Sequence, residues 1–140
     1  MPADRMKARK EHRVPLSDAA MAIVEQMADA RTSDLVFTGI RGGAIAENAM
    51  RLIARKVANA LVTTHGFRST FRDWAAERSN FPHEVAEMAL GHVVGDAVER
   101  AYRRGDLFEK RRQLAEAWAR YCATPQVEGR VVPIRGAAAK

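Results

Sequence analysis

The sequence predicts a mainly α-helical domain with a small antiparallel β-hairpin at its N-terminus. Apolar residues recur at three- and four-residue spacing in several segments after Ser17, and only the residues before it alternate short apolar and polar positions. The composition fits one domain: 140 residues, 47% hydrophobic and 29% charged, describe an ordinary soluble globule, neither disordered nor collagen-like nor disulfide-built.

The opening stretch MPADRMKARKEHRVPL carries no helical stripe and reads as two short strands with a turn near residues 8–11. Ser17 stands where an N-cap belongs, and Ala20, Ile23, Val24 and Met27 follow on one face of a helix running to about Ala30. Asp34 to Thr38 (DLVFT) is short and β-prone, hence extended. Gly39, Gly42 and Gly43 around Arg41 mark a loop, and Ala46, Met50, Ile53 and Val57 then trace a second helix. Thr63 or Thr64 caps a third, with Phe67, Phe71, Trp74 and Arg78 on one side. Pro82 suits the first turn of a fourth, which turns Val85, Met88 and Ala89 inward and closes at Gly91. Asp96 caps a short helix through Arg104, and a last helix carries Leu107, Leu114, Trp118 and Tyr121. The expected core joins the faces of Phe67, Phe71 and Trp74 to those of Leu114 and Trp118. Residues 1–122 form the domain, and 123–140 form a tail with one apolar island, Val131 to Ile134.

Twenty-three Lys plus Arg against seventeen Asp plus Glu give a net charge of +6, a balance suited to a polyanion such as nucleic acid or to a solvated basic surface. The single Cys122 can make neither an internal disulfide nor a zinc site alone, which points to the reducing cytoplasm. No apolar run is long enough to span a membrane, and no secretory leader is visible.

Four features carry chemistry. His65 and Arg68 lie three residues apart at the start of a helix, where the dipole, a planar guanidinium and an imidazole suit a phosphate. The same pair also describes a capping histidine beside a surface arginine. His92 follows a helix-closing glycine and reads as a turn residue or a catalytic one. Tyr102, ten residues later, is flanked by Arg100, Arg103 and Arg104, whose charge favours a phenolate; a core or rim tyrosine is the other reading. Lys7 sits in the basic run Arg5, Lys7, Arg9, Lys10, Arg13, which also describes a solvated edge.

Taken together, MK with HRVPLS (Met6, Lys7, His12 to Ser17), THGFRSTF (Thr64 to Phe71), LGH (Leu90 to His92) and AYRR (Ala101 to Arg104) resemble the tyrosine recombinases, specifically the phage- and prophage-type integrases. The resemblance covers roughly residues 3–122 and implies the fold of that family's catalytic domain. It implies a DNA phosphodiester substrate, a 3′-phosphotyrosine intermediate and site-specific recombination with neither cofactor nor metal. By the same resemblance Tyr102 is the nucleophile, Arg68 neutralises the non-bridging oxygens, and His65 accepts or steers the tyrosine proton. His92 bonds the scissile phosphate and Lys7, or Lys10 on the same turn, protonates the leaving oxygen. Arg9, Lys10, Arg103 and Arg104 hold DNA.

The family uses a further arginine from a helix upstream of the hairpin, and no arginine here holds that place. The chain is therefore expected to be the C-terminal part of a catalytic domain, with little or no recombination by itself. Double-stranded DNA and other recombinase protomers are the implied partners, without a membrane or a small-molecule substrate. The competing readings are a non-catalytic basic DNA-binding module, a degenerate prophage remnant and, third, a type IB topoisomerase.

Overall fold

In the computed structural model the described residues are 1–6, 9–39, 42–58, 61–96, 102 and 105–124. Local signals set the helix boundaries. The Ser17 hydroxyl accepts from the Ala20 N–H at 3.3 Å and opens α1, Asp18–Asp29. Helix α2 spans Ala49–Ala58. The Thr63 hydroxyl accepts from the Gly66 N–H at 3.0 Å and opens α3, Thr64–Glu77. Pro82 precedes α4, His83–Ala89, and Gly91 at φ 73° turns the chain out of it in the left-handed conformation that glycine adopts without penalty. The last helix, α5, spans Phe108–Ala123. Leu107 precedes it at φ 52°, and the Asp106 carboxylate accepts from the Phe108 N–H at 3.2 Å.

The core lies where α3, α4 and α5 meet. Trp74 and Ala75 come from α3, Val85 and Ala86 from α4, and Leu114 from α5. Around them Phe71 meets Trp118 edge-on with ring centroids 5.5 Å apart, Trp74 lies 5.0 Å from Trp118, and Trp118 stacks on Tyr121 at 5.6 Å. Aromatic pairs at these separations add about 0.5–1.5 kcal/mol each beyond the area they bury. Helix α1 is tied to this unit by its first turn, where the Asp18 N–H donates to Glu116 Oε1 at 2.6 Å and Ser17 is buried.

The N-terminal hairpin and its small antiparallel sheet are absent from the described residues. Ala3–Arg5 instead form a 3-10 turn, in which the Arg5 and Met6 N–H groups donate to Pro2 and Ala3 carbonyls at 3.2 Å. Arg9 takes a left-handed φ of 48°. Among the described residues of this segment only Met1 and His12 face each other as a strand pair would, the terminal amine donating to the His12 carbonyl at 2.7 Å and the His12 N–H to the Met1 carbonyl at 3.0 Å. Alternation names two candidate strands but not a third, and a two-stranded ribbon without a covered face is marginal in water. The DLVFT segment is likewise no strand; its Thr38 makes a single isolated bridge to Ala44 across the glycine turn.

Phe67, expected in the core, is 55% exposed, because the packing of α3 begins one turn later at Phe71. The short helix expected from Asp96 to Arg104 falls mostly outside the described residues, although Tyr102 itself is helical. Residues 125–140 of the expected tail also lie outside them. Among the described residues no helix is long and apolar enough to cross a membrane.

Candidate active site

The α4 C-terminus and the first turns of α3 meet at one point. Gly91 reverses the chain after α4, so that the His92 N–H donates to the Glu87 carbonyl at 3.0 Å and the imidazole folds back on the helix end. Arg68, one turn into α3, reaches across to the same place. Its Nη2 donates to the Leu90 carbonyl at 2.8 Å and lies 2.5 Å from His92 Nε2. Residues 24 apart in sequence are thereby in contact. The Nε and Nη1 groups of Arg68 have no acceptor among the described residues, which leaves N–H donors available to an anion.

Behind His92 stands Glu87, half-buried on the last turn of α4. Its Oε2 takes His92 Nδ1 at 2.6 Å, and its Oε1 takes Arg72 Nε from α3. Arg72 Nη2 lies 2.6 Å from His83 Nδ1. The hydrogen bond from His92, joined by that from Arg72, holds the Glu87 carboxyl below its usual range against the opposing effect of burial.

A cleft of about 480 Å³ opens beside His92, lined among others by Lys10, His12, Gly91, Asp106 and Arg111. One wall is an ion network. Arg111, 1% exposed, donates to the Asp106 carbonyl at 2.8 Å, to Asp106 Oδ2 at 2.9 Å and to the Arg13 carbonyl at 2.6 Å. Arg13 adds bonds to both Asp106 oxygens at 3.0 and 3.1 Å, and its guanidinium lies 4.7 Å from the Phe108 ring centroid. Burial works to raise Asp106, but the hydrogen bond from Arg13 and the charges of Arg111 and Arg13 prevail and hold it below its usual value. Burial lowers His12, and the charges of Arg111 and the N-terminal amine add to that despite Asp106.

Of the residues singled out from sequence, Arg68 and His92 are brought into contact. His65 is exposed on the first turn of α3, one turn before Arg68. Tyr102 is helical and 83% exposed, and no hydrogen bond joins it to Arg68 or His92 among the described residues. Lys10 lines the cleft, and Arg9 is exposed nearby on the N-terminal segment. Lys7, Arg103 and Arg104 lie outside the described residues.

Sequence reasoning missed Glu87, Arg72, Asp106 and Arg111. One signal was available for Arg111: it shares the three- and four-residue spacing of Leu114, Trp118 and Tyr121, so a charge stands on the apolar stripe of α5. Glu87 carries no such mark, because its meeting with His92 depends on the turn at Gly91.

Residues 3–107 match the family model described as the phage integrase family. The chain is 36% identical over 123 residues to the prophage integrase IntA of Escherichia coli, across 85% of this chain and 30% of that protein. It is 31% identical over 122 residues to the integrase of Shigella phage Sf6 and to the prophage integrase IntS of Escherichia coli, in each case across 84% of this chain and 31% of the relative. The chain thus spans about 30% of the length of the curated relatives it matches. No solved structure matches it significantly.

Proposed function

The chain belongs to the phage integrase family, and from that premise we propose that it takes part in site-specific DNA recombination with Tyr102 as nucleophile. The Tyr102 oxygen attacks the phosphorus of a DNA backbone linkage. The bond from phosphorus to the 5′-oxygen breaks, a 3′-phosphotyrosine forms, and the 5′-oxygen leaves as a hydroxyl. A 5′-hydroxyl from a second strand then reverses the step. Because the phosphoester is conserved in the protein–DNA link, the exchange is balanced without a nucleotide cofactor.

The remaining N–H groups of Arg68 neutralise charge on the non-bridging oxygens as it develops, with His92 holding that guanidinium in place through its Nε2. His65 takes or steers the phenol proton. Lys7, or Lys10 on the cleft lining, supplies the proton to the departing oxygen. Double-stranded DNA is the partner, held by Arg9, Lys10, Arg103 and Arg104, with further recombinase copies along it. The observation that carries the reading is the contact of Arg68 with His92 beside a cleft bordered by basic side chains.

Covalent trapping tests it. The chain, complemented with the upstream portion of a related integrase, is incubated with a nicked duplex from which the short 5′-hydroxyl fragment diffuses away. A protein–DNA adduct on a denaturing gel, lost in Tyr102→Phe, is the expected result. An adduct that persists in Tyr102→Phe overturns the assignment. Salt-dependent DNA binding with no adduct, unchanged by substituting Tyr102 or His65, favours a non-catalytic DNA-binding module.

A further inference from the structure

The hydrogen bonds around α4 fix protons as well as positions. A carboxylate can only accept and a guanidinium can only donate. The His92 ring, held between Glu87 at Nδ1 (2.6 Å) and Arg68 Nη2 at Nε2 (2.5 Å), satisfies both neighbours in one neutral form, with hydrogen on Nδ1 and the lone pair on Nε2. His83 faces the opposite demand. Arg72 Nη2 stands 2.6 Å from its Nδ1, which places the lone pair there and the hydrogen on Nε2. The two histidines that bracket α4 are held in opposite tautomers, with the Arg72–Glu87 ion pair between them.

We propose that Glu87 is a positioning residue for the strand-transfer site: by fixing His92 in the Nδ1–H form it keeps Nε2 open to Arg68, and so holds that guanidinium, with its Nε and Nη1 donors, in place for the phosphate. This rests on the reading of Arg68 as a phosphate ligand. A ring released by Glu87 is free to put its hydrogen on Nε2, where it points at an Arg68 N–H and displaces it. Arg72 acts one step further back, by holding the carboxylate against α3. No group that touches the phosphate is removed when Glu87 is lost; only its aim is.

The experiment reads tautomers and chemistry separately. In the 140-residue chain with ¹⁵N-labelled histidines, side-chain NMR at neutral pH is expected to show His92 with hydrogen on Nδ1 and His83 with hydrogen on Nε2. Glu87→Ala shifts His92 toward the Nε2–H form, and Glu87→Gln, which still offers an acceptor oxygen, largely retains the native form. Glu87→Met, near in volume and a good helix former, serves if the alanine variant does not fold. In the complemented trapping reaction Glu87→Ala or Glu87→Met lowers the adduct rate roughly ten- to hundredfold and Glu87→Gln recovers most of it, the scale on which a residue orienting a liganding histidine acts. Glu25→Gln, on α1, leaves both readouts unchanged. An unshifted His92 in Glu87→Ala and Glu87→Met overturns the proposal, as does a shifted tautomer with an unchanged adduct rate. Failure of the unaltered chain to form any adduct overturns the recombination reading and the positioning role with it, and is recognised because the tautomer shift is then still seen.

Discussion

Helices α2 and α3 carry apolar residues at the same helical spacing, yet Ile53 and Val57 on α2 are 62% and 82% exposed while Trp74 on α3 is buried against α4 and α5. Periodicity reports that a helix has a face. It does not report that anything covers it. The α3–α4–α5 unit closes on itself through Trp74, Val85 and Leu114, and both hydrogen-bond networks are built on it, Arg68, Arg72, Glu87 and His92 in one and Asp106 and Arg111 in the other, with the cleft between them. The candidate site is thus carried by the self-covered half of the molecule, as a site that must hold its geometry requires.

The sharpest way to break this contrast is to shorten an apolar side chain in each half. Leu114→Ala is expected to cost about 2–5 kcal/mol in denaturant unfolding, because a buried side chain leaves a cavity, whereas Ile53→Ala is expected to change stability by less than about 0.5 kcal/mol. Equal losses at the two positions would end the comparison. A smaller effect is expected where the packed half meets the site. Gly91→Ala forces an L side chain into a left-handed backbone and should cost about 1–2 kcal/mol, with the Arg68–His92 contact loosened in the same variant. A thermal melt combined with His92 NMR line widths measures both.

The smallest expected effect is on pH. Glu87 and Asp106 are held below their usual values, so their stabilisation is complete above their unfolded pKa and is lost as pH falls through the folded one. His12 is also held low, so the unfolded chain takes up its proton first and stability declines as pH drops below 6.5. All three changes have the same sign. The melting temperature should fall steadily on acidification from pH 7 to pH 4, and less steeply in Glu87→Gln; circular dichroism melts at stepped pH provide the measurement. A flat profile would show that these groups contribute nothing to the packed half.

The parts of this arrangement that are legible in the sequence are those decided within a few residues. Ser17, Thr63 and Gly91 start or stop helices through contacts to their own near neighbours, and the structure puts them at those boundaries. The meeting of the Phe71 and Trp74 face with Leu114 and Trp118 was legible too, but other elements that need a distant partner were not. The hairpin failed for want of a third strand, and Phe67 was read into the core because a helical stripe does not say where along its length the neighbouring helix begins to touch it. Glu87 illustrates the same limit in the site: its carboxylate is ordinary in α4 until the Gly91 turn brings His92 back upon it.

Asp106, gripped by two arginines, has a consequence for reach. It lies four residues beyond Tyr102, and four residues of chain extend at most about 14 Å even when fully drawn out. The knot is therefore the fixed end of a short leash. As long as it holds, every position the phenol can visit falls inside one sphere centred on that aspartate.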